Sequence, residues 1–139
     1  METLNKVYQH IKQAGVRITP HMKLVLNTIV SYQEPIDAKY IYDKIQDNTS
    51  INLSTIHRIL DKLHNIQILD IVYGEKSAMY ELSSQFIPHH HHFTCTQCHR
   101  IIDIDICMMK PILESITSIG IPISHSFEIQ GICTQCQTS

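Results

Sequence analysis

The chain has 139 residues, of which 43% are hydrophobic and 17% are charged, and its formal net charge at pH 7 is −2. This length holds one ordinary domain or two small ones, and the apolar fraction excludes a globally disordered chain. No run of 18 apolar residues occurs, and the first twelve residues lack an apolar segment. We therefore expect no membrane span and no secretory signal, and a cytoplasmic protein.

Charge and histidine are unevenly distributed along the chain. Residues 1–70 contain eight Lys/Arg and seven Asp/Glu, a balance of +1, whereas residues 71–139 contain three and six, a balance of −3. Six of the ten histidines lie between His89 and His125. Net charge therefore neither favours nor excludes nucleic-acid binding, which would need a local basic patch.

Four helical patterns occupy the first part of the sequence. The first is expected to end near Gly15, and Thr19 followed by Pro20 predicts the cap and first position of the second. Asp37 and Ser54 are the expected caps of the third and fourth helices. Apolar residues at helical spacing predict the inward faces. They are Leu4, Val7, Tyr8 and Ile11; Met22, Val25, Leu26, Ile29 and Val30; Ala38, Ile41, Tyr42 and Ile45; and Ile56, Ile59, Leu60 and Leu63.

Two strand-like runs follow, at 67–73 and 77–82, and the Gly74-Glu75 turn between them predicts a β-hairpin. Three helices followed by a hairpin are typical of a winged helix-turn-helix, although a small α+β domain without a DNA role shows the same pattern. We place this domain at 1–82.

The remaining sequence predicts a second, smaller domain. Residues 83–88 lack periodicity and are the expected hinge. Beyond them, 100–106 alternates like a strand, 108–119 has a helical pattern, and 125–132 predicts another strand. The predicted fold class is therefore α+β, with a small α/β domain at 89–139.

Two C-x-x-C pairs, Cys95 with Cys98 and Cys133 with Cys136, predict a zinc site. Two-residue spacing lets both thiolates of a turn reach one ion at about 2.3 Å, and two such turns complete a tetrahedron. Buried reduced cysteines or a thioredoxin-like redox pair are the alternatives, but two matched pairs near strand ends favour zinc. Cys107 has no such partner, and we interpret it as a small apolar residue at a helix start.

Four consecutive histidines, His89 to His92, shortly precede Cys95. In an extended segment, alternate side chains face opposite ways, so His90 and His92 share one side while His89 and His91 share the other. One short strand can thus serve two metal sites, although a solvated polar loop is the simpler alternative.

Three further residues are candidate ligands. Asp103, in the next strand, and Glu81, at the end of the hairpin, would add oxygen to the pair His90 and His92, whereas His125 would join the opposite pair. A mixed nitrogen and oxygen site suits Zn(II) or Fe(II), and also Mn(II) or Ni(II).

Across almost its whole length the sequence resembles the ferric uptake regulator family, which includes zinc uptake and peroxide-sensing regulators. The matching stretches are GVRITP (15–20), LSTIHRIL (53–60), MYEL (79–82), HHHHFTCTQC (89–98), RIIDI (100–104) and SHSFEIQGICTQC (124–136). The resemblance implies an N-terminal winged-helix domain, a C-terminal dimerisation domain, and a homodimer that binds double-stranded operator DNA when loaded with metal. It implies no membrane partner and no small organic substrate.

The resemblance also implies roles for individual residues. Structural zinc would be held by the four paired cysteines, and a regulatory Zn(II) or Fe(II), with Mn(II) as a further candidate, by Glu81, His90, His92 and Asp103. A third, less uniform family site falls at His89, His91 and His125. The DNA-binding positions would be Thr55, His57 and Arg58 on the recognition helix, and Arg17, which matches a basic residue that reaches the minor groove.

The sequence departs from the family pattern at several positions. His57 stands where tyrosine is usual, and Met22 where arginine is frequent. The region of Glu34 lacks a histidine that often ligates metal, and Lys110 falls where the third site usually has an acidic residue.

The sequence favours zinc over iron as the sensed metal. Asp70 and the stretch 124–136 resemble zinc-type relatives, although Ser83 stands near a position where these often have cysteine. Glu81 is shared with iron-type relatives, whereas peroxide sensors usually carry aspartate there.

We therefore predict a metal-dependent DNA-binding repressor of metal uptake or homeostasis genes, and not an enzyme. The alternatives are a peroxide-sensing regulator of the same family and a cytosolic metal buffer or chaperone without DNA binding. A zinc hydrolase is disfavoured because the sequence lacks both H-E-x-x-H and H-x-E…C-x-x-C motifs.

Overall fold

The computed structural model describes residues 2–32, 34–74, 76–104, 107 and 109–138. The chain forms two compact units, one extending to Pro88 and the other starting at His89. No helix within these described ranges is long and apolar enough to cross a membrane. The predicted α+β class is confirmed.

Four helices form most of the first unit: α1 (Glu2–Gln13), α2 (Pro20–Ser31), α3 (Ala38–Ile45) and α4 (Leu53–Asn65). As predicted, Gly15 follows α1 with a positive φ of 76°, and the Val16 N–H donates to the Ile11 carbonyl at 3.2 Å. The predicted caps of α2 and α3 are also confirmed, because Thr19 Oγ1 accepts from the Met22 N–H at 3.1 Å and Asp37 Oδ1 accepts from the Tyr40 N–H at 2.8 Å.

The predicted cap of the fourth helix is wrong. Asn52, not Ser54, caps α4, and its Oδ1 accepts from the Thr55 N–H at 2.8 Å. The same oxygen accepts from the hydroxyls of Ser54 at 2.7 Å and Thr55 at 2.8 Å. The helix begins at Leu53, so Ser54 is its second residue. A capping residue precedes the first helical residue, and that position belongs to Asn52.

A hairpin completes the first unit. β1 (Leu69–Tyr73) and β2 (Ala78–Leu82) are antiparallel, and Ile36 adds an isolated bridge to Tyr80. Both strands are shorter than predicted, and Glu75 of the predicted turn lies outside the described residues. Helices followed by this hairpin are the winged helix-turn-helix arrangement.

Apolar side chains from every element of the first unit share one core. Of the predicted inward residues, Leu4, Tyr8, Val30 and Tyr42 are partly buried and the others are buried. Residues 83–88, the predicted hinge, belong to this unit, where Phe86 and Ile87 pack against the core and the Ser83 N–H donates to the Ile68 carbonyl at 2.9 Å. Their role as a hinge stays a prediction.

The second unit is a three-stranded sheet with two short helices. Its elements are β3 (His91–Cys95), β4 (Ile101–Ile104), α5 (Met109–Ser115), β5 (Glu128–Gly131) and α6 (Thr134–Gln137). β3 lies in the centre, antiparallel to β4 and parallel to β5. Gly131 lies where β5 approaches β3, and a Cβ there would lie 3.1 Å from the Phe93 ring, so that a larger residue would displace this ring.

The elements of this unit are shorter than their sequence patterns suggested. The helix predicted at 108–119 is regular only to Ser115 and continues as turns, in which the Ile119 N–H donates to the Ile116 carbonyl at 2.9 Å. The strand predicted at 125–132 keeps only the part that pairs with β3, and within the strand predicted at 100–106 the structure pairs residues 101–104 with β3. Asp105, Ile106 and Met108 of these predictions lie outside the described residues.

Candidate metal centres

The sheet topology decides which ligand candidates meet. β3 and β5 run parallel, so the segments that precede both strands lie at one end of the sheet and the segments that follow both lie at the other. His89 and His125 precede these strands, and the two C-x-x-C pairs are at and beyond their carboxyl ends. The antiparallel register of β3 with β4 sets His92 opposite Asp103. Three places for ligands follow from these pairings.

The four paired cysteines form the first cluster, at the carboxyl ends of β3 and β5. Cys95 Sγ lies 3.8 Å from Cys136 Sγ, and Cys98 Sγ lies 3.8 Å from Cys133 Sγ. All four sulfurs lie within 4.8 Å of one another, and all are free thiols. Zinc–sulfur bonds of about 2.3 Å at tetrahedral angles separate sulfurs by about 3.8 Å. The cluster therefore fits a zinc-type ion.

The four thiols differ in how readily they ionise. The backbone N–H groups of Cys133 and Cys98 donate to Cys95 Sγ at 3.4 and 3.5 Å. These bonds favour the thiolate and lower the pKa of Cys95 to about 6. Hydrogen bonding to the Cys133 sulfur, together with burial, raises the pKa of Cys136 to about 12. Sulfurs packed this closely need a shared cation before all of them can be charged.

The second cluster lies on one face of β3 and β4. Because His92 and Asp103 are directly opposite in the antiparallel pair, their side chains share that face. Asp103 Oδ1 lies 3.5 Å from His92 Nε2 and 3.9 Å from His90 Nε2, and these side chains are only 13–22% exposed. This set of nitrogen and oxygen donors suits Zn(II), Fe(II) or Mn(II). Glu81, the expected fourth ligand, lies opposite Asp70 in the first unit, and its participation stays a prediction.

The third cluster consists of His89, His91, Cys107 and His125. His89 Nε2 lies 3.0 Å from His91 Nε2 and 3.1 Å from His125 Nε2. Cys107 Sγ lies 3.3 Å from His91 Nε2 and 3.3 Å from His125 Nε2. All four ligand atoms lie within 4.8 Å of one another. The alternation of His89 to His92, which lead into β3, thus separates two clusters.

His91 is the most enclosed member of the third cluster. It is 4% exposed, and its ring stacks on Phe127 with centroids 3.8 Å apart. Burial, followed by the proximity of His89 and His125, lowers the pKa of His91. The neutral imidazole, which is the metal-binding form, is therefore favoured.

Cys107, interpreted from the sequence as a small apolar residue at a helix start, also has polar neighbours in the structure. Its sulfur contacts two histidine nitrogens, and α5 begins only at Met109. The sequence contains one hint of these contacts, because Cys107 is the one cysteine outside the C-x-x-C pairs and lies three residues before Lys110, where the family usually has an acidic residue.

The candidate DNA-binding residues lie in the first unit. His57 and Arg58 are exposed on α4, and Arg17 is exposed in the loop between α1 and α2. Thr55 is half-buried, and its hydroxyl donates to Asn52, so it supports the helix start as well as lining the surface. Their contact with DNA stays a prediction.

Comparisons with known proteins find relatives of this chain. Residues 13–129 match the model of the ferric uptake regulator family. The chain is 30% identical to the peroxide-responsive repressor PerR of Staphylococcus aureus over 132 residues, which cover 91% of this chain and 86% of that protein.

Two solved structures have the same fold. The ferric uptake regulator Fur of Helicobacter pylori, which has three functional metal-binding sites, superposes with a TM-score of 0.80 at 21% identity, covering 99% of this chain and 93% of that one. The Vibrio cholerae Fur superposes with a TM-score of 0.73 at 25% identity, covering 90% of this chain and 98% of that one.

Proposed function

Because this chain belongs to the ferric uptake regulator family, whose members are metal-responsive transcriptional regulators and not enzymes, we propose that it is a repressor of metal uptake or homeostasis genes. It works in the cytoplasm as a homodimer and binds double-stranded operator DNA when loaded with metal. The observation that carries this proposal is the presence of two different ligand sets in one unit, four sulfurs in one place and imidazoles with a carboxylate in another.

The four-cysteine cluster is proposed as a structural Zn(II) site. Cys95 and Cys98 come from one turn and Cys133 and Cys136 from another, with 34 residues between the two pairs. A shared ion would therefore join the carboxyl ends of β3 and β5. The sulfur spacing of 3.8 Å supports this role.

The pair His90 and His92 with Asp103 is proposed as the C-terminal part of the regulatory site. Glu81 would contribute the ligand from the winged-helix unit, a role that rests on the resemblance of MYEL (79–82) to the family. Holding ligands from both units would restrict the angles that the hinge at 83–88 can adopt. The two recognition helices of a dimer would then match the spacing of two operator half-sites.

Operator contacts are assigned to α4 and the loop before α2. Thr55, His57 and Arg58 would face base edges and phosphates, and Arg17 would approach the minor groove. The exposure of His57, Arg58 and Arg17 supports this assignment. Since the formal charge of residues 1–70 is only +1, specific contacts and dimerisation must contribute more than overall attraction.

Zinc is the proposed sensed metal, with iron as the alternative. Asp70 and the stretch 124–136 resemble zinc-type relatives, and neutral imidazoles with a carboxylate satisfy the preferences of Zn(II). The deciding measurement is the metal content of the purified protein, followed by operator binding titrated with Zn(II), Fe(II) and Mn(II) in turn. Operator binding that did not depend on any of these ions would contradict the proposal.

Two substitutions separate the structural role from the regulatory role. Cys98→Ser should lose the structural zinc and the dimer, because one sulfur of the tetrahedron is removed. His90→Ala should keep the dimer and lose metal-dependent operator binding. Metal analysis, sedimentation and operator titration test both variants, and a metal-responsive dimer of Cys98→Ser would overturn the assignment.

Peroxide sensing is the second candidate, favoured by the 30% identity to a peroxide-responsive repressor. It predicts that hydrogen peroxide releases the iron-loaded protein from its operator irreversibly and leaves the zinc-loaded protein bound. A metal buffer or chaperone, in contrast, would bind metal and no operator DNA.

A further inference from the structure

The cysteine that lies outside the C-x-x-C pairs is surrounded by imidazoles. Cys107 Sγ is 3.3 Å from the Nε2 atoms of both His91 and His125, and His89 Nε2 lies 3.0 and 3.1 Å from those same two nitrogens. The four atoms therefore close a ring in which every neighbour is another potential ligand. All of them belong to the second unit and come from three segments, the start of β3, the segment before α5 and the segment before β5.

The spacing of these atoms suits a tetrahedral ion. Metal bonds of about 2.0–2.1 Å to nitrogen and about 2.3 Å to sulfur separate tetrahedral nitrogens by about 3.3 Å and nitrogen from sulfur by about 3.6 Å. The observed separations of 3.0–3.3 Å are slightly shorter, so small outward rotations of the side chains would open the cluster to an ion. The stacking of His91 on Phe127 holds one ring in place.

The sulfur changes which ions this cluster prefers. A carboxylate with imidazoles accepts hard ions such as Mn(II) and Fe(II) readily, whereas a thiolate favours softer ions, and a compact tetrahedral set of one sulfur and three nitrogens suits Zn(II). Lys110, which is exposed on α5, carries an ammonium group with no lone pair to give to a metal ion.

We propose that Cys107 is the fourth ligand of a His3Cys site with His89, His91 and His125, and that its thiolate makes this site select Zn(II) over Fe(II) and Mn(II). The site therefore differs in metal preference from the nitrogen and oxygen cluster of His90, His92 and Asp103, although the same histidine run contributes to both. Metal binding to the His3Cys site is measured without DNA. A negative result in that measurement is therefore distinguishable from a failure of the proposed repressor function.

Cobalt spectroscopy tests the proposal directly. The protein is prepared with zinc retained in the four-cysteine cluster and the histidine clusters emptied by a mild chelator, and Co(II) is then added. Because the chain has five cysteines and four hold zinc, a thiolate-to-cobalt charge-transfer band must come from Cys107. Native mass spectrometry confirms that the structural zinc stays in place. Cobalt binding without this band would overturn the proposal.

Substitutions give the matched controls. Cys107→Ser and His125→Ala should abolish the band, whereas His64→Ala, which removes an exposed histidine outside all three clusters, should leave it unchanged. Loss of an outer-shell partner already weakens metal binding roughly 10–100-fold, so losing a ligand should weaken zinc binding at this site at least about 100-fold. Zinc affinity unchanged in Cys107→Ser would refute the assignment.

Two further measurements do not depend on how Cys107→Ser folds. In the wild-type protein, zinc loading of the emptied clusters should protect Cys107 from alkylation, as read by peptide mass spectrometry. Cys107→Asp, which restores an oxygen ligand, should keep cobalt binding without the charge-transfer band and lower the ratio of zinc to manganese affinity. Equal alkylation rates with and without zinc, or an unchanged ratio, would contradict the role of the thiolate.

Discussion

At the scale of single residues, the local environment divides chemically identical side chains into different roles. Cys95 accepts hydrogen bonds from two backbone N–H groups, which lower its pKa to about 6. Cys136 forms a hydrogen bond with the Cys133 sulfur and is partly buried, and its pKa rises to about 12. Cys107 has the same thiol but lies among imidazoles. None of these differences is visible in the C-x-x-C spacing itself.

Zinc binding to the four-cysteine cluster should release fewer than four protons at pH 7. A thiol with a pKa near 6 is already mostly ionised at this pH, so Cys95 contributes little, whereas Cys136, with a pKa near 12, must give up its proton. The affinity for zinc should accordingly weaken as the pH falls, because protons compete with the ion. Calorimetry in buffers of different ionisation enthalpy measures the number of protons released per zinc ion. A release of four protons would contradict the ionised state expected for Cys95.

At the scale of elements, hydrogen bonds beyond the apolar pattern decide where a helix begins. The periodic residues of α4 are compatible with a start at Leu53 or a few residues later. Asn52 decides between these starts because its side-chain oxygen accepts from the Thr55 N–H and from two hydroxyls. The position of the exposed recognition-helix residues depends on this start.

Removing the cap should therefore destabilise the winged-helix unit measurably. Asn52→Ala should lower the free energy of unfolding by about 1 kcal/mol, the usual contribution of a side-chain cap. Ser54→Ala is the matched control and should change it by less than about 0.5 kcal/mol, as for other exposed positions. Urea unfolding followed by circular dichroism measures the stability of both variants. A larger loss for Ser54→Ala than for Asn52→Ala would identify Ser54 as the cap.

At the scale of the whole molecule, the two units are stabilised differently. The first has a continuous apolar core to which all four helices and the hairpin contribute. In the described part of the second, Cys95, Ile101 and Cys133 are the buried apolar residues, and two of these three are zinc-ligand candidates. Several isoleucines of this unit, including Ile121 at 92% and Ile123 at 98%, are exposed instead. Bound ions and the proposed dimer contacts must therefore supply much of its stability.

A strong chelator should unfold the second unit and leave the first folded. Structural zinc contributes about 10–16 kcal/mol of binding free energy in small zinc domains, which a core of this size cannot replace. Hydrogen exchange followed by mass spectrometry should show that β3, β4 and β5 lose protection while α2 and α4 keep it. Equal loss of protection in α4 would show that the two units do not unfold independently.

Local features of the sequence determined much of this protein. The apolar spacing in α1 to α4, the caps Thr19 and Asp37, the paired cysteines and the alternation of His89 to His92 each depend on residues a few positions apart, so periodicity and spacing are enough to read them. For the same reason, the α+β class and the helix-then-hairpin order followed from the sequence.

Only the tertiary structure decided which distant residues meet. The parallel pairing of β3 with β5 brings His125 to His89, and Cys107 lies in the same cluster. Strand lengths were overestimated because a strand persists only where a neighbour accepts its hydrogen bonds, as β5 shows by ending at Gly131. Contacts of this kind depend on the tertiary fold. The residues that they join are 16 or more positions apart, and sequence periodicity does not indicate which of such residues are in contact.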